Sequence, residues 1–376
     1  MKFVDEFRDP ELAEHLLQRI KVLLNTAPLA NRESVRVMEV CGGHTHTIFK
    51  YGLDRLLPSR LELIHGPGCP VCVLPRDAID TAIEIALQPK VILASFGDTL
   101  RVPGTRISLL QARAAGADVR TVYSPMDALA LAKQHPDHSV VFFAIGFETT
   151  IPATALTLLQ AERENVENFI MLARHISIIP TLKALLDDPE LEIDGFIGPG
   201  HVSMVIGTEP YEFVAQAYGK PLVVSGFEPL DLLQSLQMVL EQLASGTSVI
   251  ENQYARVVRK QGNAQAQRAI STLFEPRASD YWQGLGEVAG SGLQFRPEYS
   301  HFDAEKHFLC EASKPSDTVE QGCCDQVLKG ALQPQACPLF GGACTPSQPV
   351  GALMVSSEGA CAARYLYRSG EHRDVG

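Results

Sequence analysis

The apolar residues of this chain fall into short β-branched runs. Each run ends in a glycine-rich polar stretch and gives way to a segment whose apolar residues recur at helical spacing. The first periodic segment, residues 10–25, carries Leu12, Leu16, Leu17 and Ile20 and predicts an amphipathic helix. Strands follow over 35–40, 61–65, 90–96 and 118–123, with a helix over 75–87 that opens beside Pro75. The pattern then begins again, with strands over 139–145, 168–173, 195–197 and 221–225 and a closing helix over 230–243. Strand ends near 41, 65, 97 and 124 are matched by ends near 146, 175, 198 and 226, about a hundred residues later. Strands alternating with helices predict an α/β fold with two similar open parallel-sheet domains facing a cleft. Residues 262–307 read as helix and then loop, bridging to a last, cysteine-rich segment.

In open parallel sheets, ligands bind beyond the carboxyl ends of the strands, and the polar motifs fall there. They place Cys41, Cys69, Cys72, Asp98, Glu148, His201 and Glu228 along the expected cleft. Cys41 lies in the run Cys41-Gly42-Gly43-His44-Thr45-His46, a strand-to-helix turn whose glycines allow a tight bend and whose helix end would favour a thiolate. A thiolate there can ligate a metal, His44 can join it, and His46 would point elsewhere on the helix. Cys41 as a small buried apolar group, with the histidines as caps, is the structural alternative. Cys69-Pro70-Val71-Cys72 is a Cys-x-x-Cys pair beside a helix start, suited to dithiol redox chemistry or to metal binding. Asp98, Glu148, His201 and Glu228 can line a site or simply satisfy helix ends and loop amides.

Composition narrows the setting. The chain has 376 residues and a formal charge of −12, which argues against a nucleic-acid or anionic-membrane surface. An acidic N-terminus and the lack of a long apolar run predict a cytoplasmic protein. In that compartment the nine cysteines are metal ligands or redox groups in preference to structural disulfides. Three lie before residue 73 and six after residue 309. From Cys324 to Cys337, Cys344 and Cys361 the gaps are twelve, six and sixteen residues, leaving Cys310 and Cys323 over. Four thiolates suit a zinc or an iron–sulfur cluster, and the absence of closely paired knuckles favours the cluster. The expected division is an N-terminal helix over 1–30, α/β domains over 31–130 and 131–240, and a cluster-binding domain over 241–376. No dinucleotide or phosphate loop is present, since Gly66-Pro67-Gly68 and Gly198-Pro199-Gly200 lack the third glycine.

Together, Cys41-Gly42-Gly43-His44, Gly66-Pro67-Gly68-Cys69-Pro70-Val71-Cys72, Gly146-Phe147-Glu148-Thr149-Thr150, Gly198-Pro199-Gly200-His201, Gly226-Phe227-Glu228-Pro229 and the terminal cysteines resemble the hydrogenase maturation family HypD, over nearly the whole chain. The resemblance implies an assembly scaffold with redox capacity that helps build the Fe(CN)2CO group of [NiFe] hydrogenases. It would work with the small chaperone HypC and take cyanide from HypE, serving the hydrogenase large subunit indirectly. It further implies that Cys41 binds the iron, with His44 nearby, that Cys69 and Cys72 lie near a [4Fe-4S] cluster, and that Cys324, Cys337, Cys344 and Cys361 hold that cluster. This chain departs from the family's Cys-x-Cys-Gly by an adjacent Cys323-Cys324 before Asp325. Cys324 keeps the spacing to Val327-Leu328 and is taken as the ligand. A stand-alone iron–sulfur dithiol oxidoreductase and a zinc-stabilised binding module are the rival classes.

Overall fold

Helix α1, Pro10–Leu24, begins where Asp9 accepts the amides of Glu11 and Leu12 and Pro10 takes the first turn. It buries Leu16, Ile20, Leu23 and Leu24 and packs on the helix Pro229–Ser245. This is a computed structural model, describing residues 5–308 and 322–367; Cys310 lies outside them. No helix among the described residues is long and apolar enough to cross a membrane.

Among the described residues, nine parallel strands form two sheets: β1 (Val35–Glu39), β2 (Leu61–His65), β3 (Val91–Ser95), β4 (Val119–Thr121), β5 (Ser139–Gly146), β6 (Phe169–His175), β7 (Gly195–Pro199), β8 (Leu222–Ser225) and β9 (Ile250–Asn252). All eight expected strands are present, and β9 adds one that the sequence did not announce. Helices cover both faces, so β3 and β5 are apolar without alternating, apart from Ser95 and Ser139 at their ends, as parallel strands usually are. Phe142, Phe143, Phe169 and Phe196 are fully buried, and truncating any of them to alanine costs about 3–5 kcal/mol.

The strands do not divide at residue 130. One sheet runs β2-β1-β7-β8-β9 and the other β4-β3-β5-β6. The unit carrying β3 to β6 is therefore inserted between β2 and β7 of the other. The repeat survives in nested form, because each sheet orders its strands second, first, third, fourth. Each has one switch point, between β1 and β7 and between β3 and β5. These are the places where a parallel sheet opens a crevice at its carboxyl edge.

Two further corrections concern the C-terminal third. After the helix Ala264–Leu273 the chain is not loop but two antiparallel ribbons, β10 (Phe274–Pro276) with β13 (Leu293–Phe295) and β11 (Ser279–Trp282) with β12 (Gly286–Ala289). Trp282 is buried and donates its indole N–H to Ser291 at 2.7 Å. The Gln283 amide binds the Val73 carbonyl at 2.8 Å, tying the ribbon to the Cys69–Cys72 loop. The last segment has no separate core among the described residues: Val327, Leu328, Leu353, Met354 and Cys361 join the cluster that includes Met38 and Ile64. The helix Ala360–Tyr367 packs on α2 (Gly42–Lys50).

One buried side chain lowers acid stability. His175 ends β6, is 1 % exposed, and has no hydrogen-bond partner for either ring nitrogen. Burial lowers its pKa from 6.5 to about 4, opposed by the Gly146 backbone. The folded state thus excludes a proton that the unfolded chain accepts. The associated stability is complete above pH 6.5 and is lost as pH falls toward 4, by on the order of 3 kcal/mol. We expect His175→Phe to flatten this acid slope in urea unfolding measured at pH 7 and pH 4.5. An unchanged slope assigns the loss to other groups.

Candidate metal and dithiol site

Cys41 follows β1 in extended backbone and caps α2 through its carbonyl, which accepts the amides of His44 at 2.8 Å and Thr45 at 3.3 Å. The glycines around it provide room, since neither Gly42 nor Gly43 has positive φ. A Cβ on Gly68 would stand 2.2 Å from the Cys41 nitrogen, one on Gly42 would stand 2.5 Å from Glu358 Cβ, and one on Gly43 would stand 2.9 Å from the Phe227 ring. Three separate stretches of chain therefore close on Cys41: the Gly66–Cys72 loop, the Gly226–Glu228 loop and the approach to Cys361. The Gly42 amide donates to the Gly68 carbonyl at 3.2 Å and locks the first two glycine motifs together.

The thiol is half-buried. Burial pushes its pKa up, the charges of Glu358 and Glu39 add to this, and the amides of Gly43 and His44 oppose it. The helix end that was expected to favour a thiolate is outweighed, so the free thiol stays protonated. His44 is buried, with Nε2 3.4 Å from the Ser225 carbonyl and Nδ1 without a partner. Burial holds its pKa down, so the imidazole is neutral and able to ligate. Phe227 stacks with His44 at 4.8 Å and with His201 at 3.8 Å, bringing His201 to the same place. His46 turns away toward the Tyr367 hydroxyl, 3.4 Å distant.

Cys69 precedes a short 3-10 helix, Pro70–Val73, that contains Cys72, and the two are 4 % and 1 % exposed. The helix Arg76–Ala86 starts only after Pro75, too far on to cap either thiol. Burial, the hydrogen bond to Cys69, and the charges of Cys69, Glu358 and Cys361 push Cys72 up. A Cβ on Gly359 would stand 2.9 Å from Cys72 Sγ, so the segment leading to Cys361 touches the dithiol. Glu358 thus lies against Gly42 and within electrostatic reach of Cys41, Cys72 and Asp98, and its own carboxyl is raised by desolvation and by Asp98 and Glu39. Sequence reasoning missed it. Its one signal was its position three residues before an expected cluster ligand.

The other expected cleft acids play smaller parts. Asp98 pairs with Arg101 at 2.9 Å, and Arg101 also donates to the Val355 carbonyl at 2.6 Å. Glu148 is buried and accepts the Ile178 amide at 3.0 Å at the start of the helix Ile178–Leu186, with its pKa raised to about 7 by burial. Tyr211, fully buried, lies within electrostatic reach of both Glu148 and Cys41. Glu228 is held by Arg8 at 2.7 Å at the start of the helix Pro229–Ser245.

Cys323, Cys324, Cys337, Cys344 and Cys361 line one apolar cavity. A Cβ on Gly351 would stand 2.3 Å from Cys324 Sγ, and the Val350 amide donates to Cys344 Sγ at 3.4 Å. Burial and the neighbouring Cys324, Cys344 and Cys337 push Cys361 up, so the free thiol stays protonated. Among the described residues, no three His, Cys, Asp or Glu side chains are grouped closely enough to hold a single metal ion. A cubane spreads its four thiolates over a larger tetrahedron than a single ion does. An apolar cavity with five thiols, four of them the expected ligands, and an N–H···S bond fits that cluster chemistry.

Residues 11–368 match the family model described as HypD, Hydrogenase formation hypA family. The chain belongs to the HypD family. The hydrogenase maturation factor HypD of Rhodobacter capsulatus is 55 % identical over 370 residues, covering 98 % of each chain. Its Escherichia coli counterpart is 54 % identical over 375 residues, covering 99 % of each. The HypD match thus spans the Cys41 turn, the dithiol and all four expected cluster cysteines.

The close approach at Gly68 yields a test. Gly68→Ala has to displace the Cys41 backbone, and overpacking of this kind costs about 1–3 kcal/mol. We expect a lowered Tm together with altered alkylation of Cys41, located by peptide mass mapping. An unchanged Tm and Cys41 rate refute the packing described.

Proposed function

We propose that the chain acts in hydrogenase maturation as a scaffold on which the Fe(CN)2CO group is assembled. Cys41 holds the iron, a HypC-type chaperone shares it, and a HypE-type protein supplies cyanide. The observation that carries this reading is the convergence of Cys41, the Cys69/Cys72 pair and the segment entering Cys361 on one switch point. Iron bearing cyanide and carbon monoxide is soft and takes thiolate well. A protonated thiol among carboxylates gives up its proton when metal arrives, and a neutral His44 beside it can orient or ligate.

Cys324, Cys337, Cys344 and Cys361 would hold a [4Fe-4S] cluster, which supplies single electrons at a potential set by its apolar, N–H···S-bonded surroundings. Closing a Cys69–Cys72 disulfide would exchange two S–H bonds for one S–S bond, release two protons and pass two electrons, one at a time, through the cluster to the iron group under assembly. Both thiols are buried, which favours a scaffold over an oxidoreductase acting on a diffusible disulfide. The cysteines of the described residues are free thiols, in keeping with a reducing, cytoplasmic setting.

Infrared spectroscopy of the chain co-purified with its small partner tests the assignment of Cys41. We expect Cys41→Ala to keep its fold and its cluster absorption but to lose the CN and CO bands. Undiminished bands remove Cys41 from the iron site. Cluster ligation is checked separately by visible absorption of anaerobically purified variants. Cys337→Ala and Cys324→Ala should bleach strongly, and Cys323→Ala should not. The reverse order for Cys323 and Cys324 would exchange their roles.

A further inference from the structure

Beneath Cys41 lies a carboxylate for which the proposed chemistry has no use. Glu39 is 0 % exposed at the end of β1, and each of its oxygens is occupied. Oε2 accepts the Cys41 amide at 3.0 Å. Oε1 accepts the Thr45 hydroxyl, and also the His65 Nδ1–H at 2.8 Å. Glu39 thereby ties together the end of β1, the first turn of α2 and the end of β2. Burying a carboxylate is expensive unless it is paired and hydrogen-bonded. A fold that needed only packing would use an apolar residue here, as it does at Val37 and Met38.

His65 is 6 % exposed and lies 4.8 Å from the Phe49 ring. It also lines a cavity of about 170 Å³ behind α2, walled by Phe49, Asp54, Gln333 and Arg364. That is room for several waters or for one small heterocycle.

We propose that Glu39 is the positioning residue of the Cys41 site, fixing the thiol through the Cys41 amide while His65 and Thr45 fix Glu39. The three donors meet one carboxylate from three elements, so movement of α2 against β2 is opposed at the residue two positions before the thiol. Loss of such an outer partner usually costs a site about tenfold or more. The consequence for iron rests on the scaffold reading, but the geometry does not, and it can be tested on the thiol alone.

The test is the rate of Cys41 alkylation by iodoacetamide in the full chain, read by mass mapping with Cys69 followed in the same sample. In Glu39→Gln, Thr45→Val and His65→Gly we expect Cys41 to react about tenfold faster, with Tm little changed in the milder Thr45→Val. Imidazole entering the cavity behind α2 should restore the slow rate in His65→Gly but not in Glu39→Gln. A Cys41 rate equal to wild type in Glu39→Gln and Thr45→Val overturns the proposal. So does an accelerated His65→Gly that imidazole leaves unchanged, since general loosening would give that result. These rates do not depend on Cys41 ever binding iron, so a failure of the scaffold reading would appear separately, in the infrared bands.

Discussion

The whole arrangement depends on backbone meeting backbone at Cys41. Gly68 lies so close to the Cys41 nitrogen that no side chain fits between them, and the Gly42 amide is bonded to the Gly68 carbonyl. This one approach fixes the end of β2 to the end of β1 and brings the dithiol loop beside the isolated thiol. Gly42 and Gly43 then admit Glu358 and Phe227, so that distant parts of the chain complete the site. The glycine motifs are spacers for close packing more than hinges for turning.

Charge follows from this crowding. Burial and the charges of Glu358 and Glu39 penalise proton loss from Cys41, and burial, Cys69 and Glu358 penalise it from Cys72. In the apolar cavity of Cys324, Cys337, Cys344 and Cys361, burial and the neighbouring sulfurs raise Cys361.

Much of this was legible in the sequence. β2 spans the expected residues, and β1, β3, β5 and β8 begin or end within about two, because buried parallel strands are uniformly apolar and bounded by glycine or proline. Their partners were not legible. A run of valines announces a strand without naming its neighbour, and two units of the same strand order fit the linear pattern whether consecutive or nested. The ribbons after Leu273 were hidden because each strand has only three or four residues, interrupted by Gly284, Gly286 and Gly290. At the site, Cys41, His44, Cys69 and Cys72 stood out through motif spacing. Glu358 did not, being one acid in a short polar stretch. The direction of the Cys41 shift was misjudged because helix position is visible in a sequence, whereas burial and converging carboxylates are not.

Nesting one unit inside the other gives the molecule a mechanical property that consecutive domains lack. The chain crosses from the β1–β2 unit to the inserted one after residue 65, returns before residue 195, and crosses again after β9, where the helix Ala264–Leu273 and β13 pack on the inserted unit. Met38 and Ile64 of one sheet share an apolar cluster with Leu93 and Val141 of the other. The two sheets are therefore laced together at several points, and no single loop is a hinge between them. The first crossing carries Cys69 and Cys72, so the dithiol stands on a seam that the later crossings hold in place.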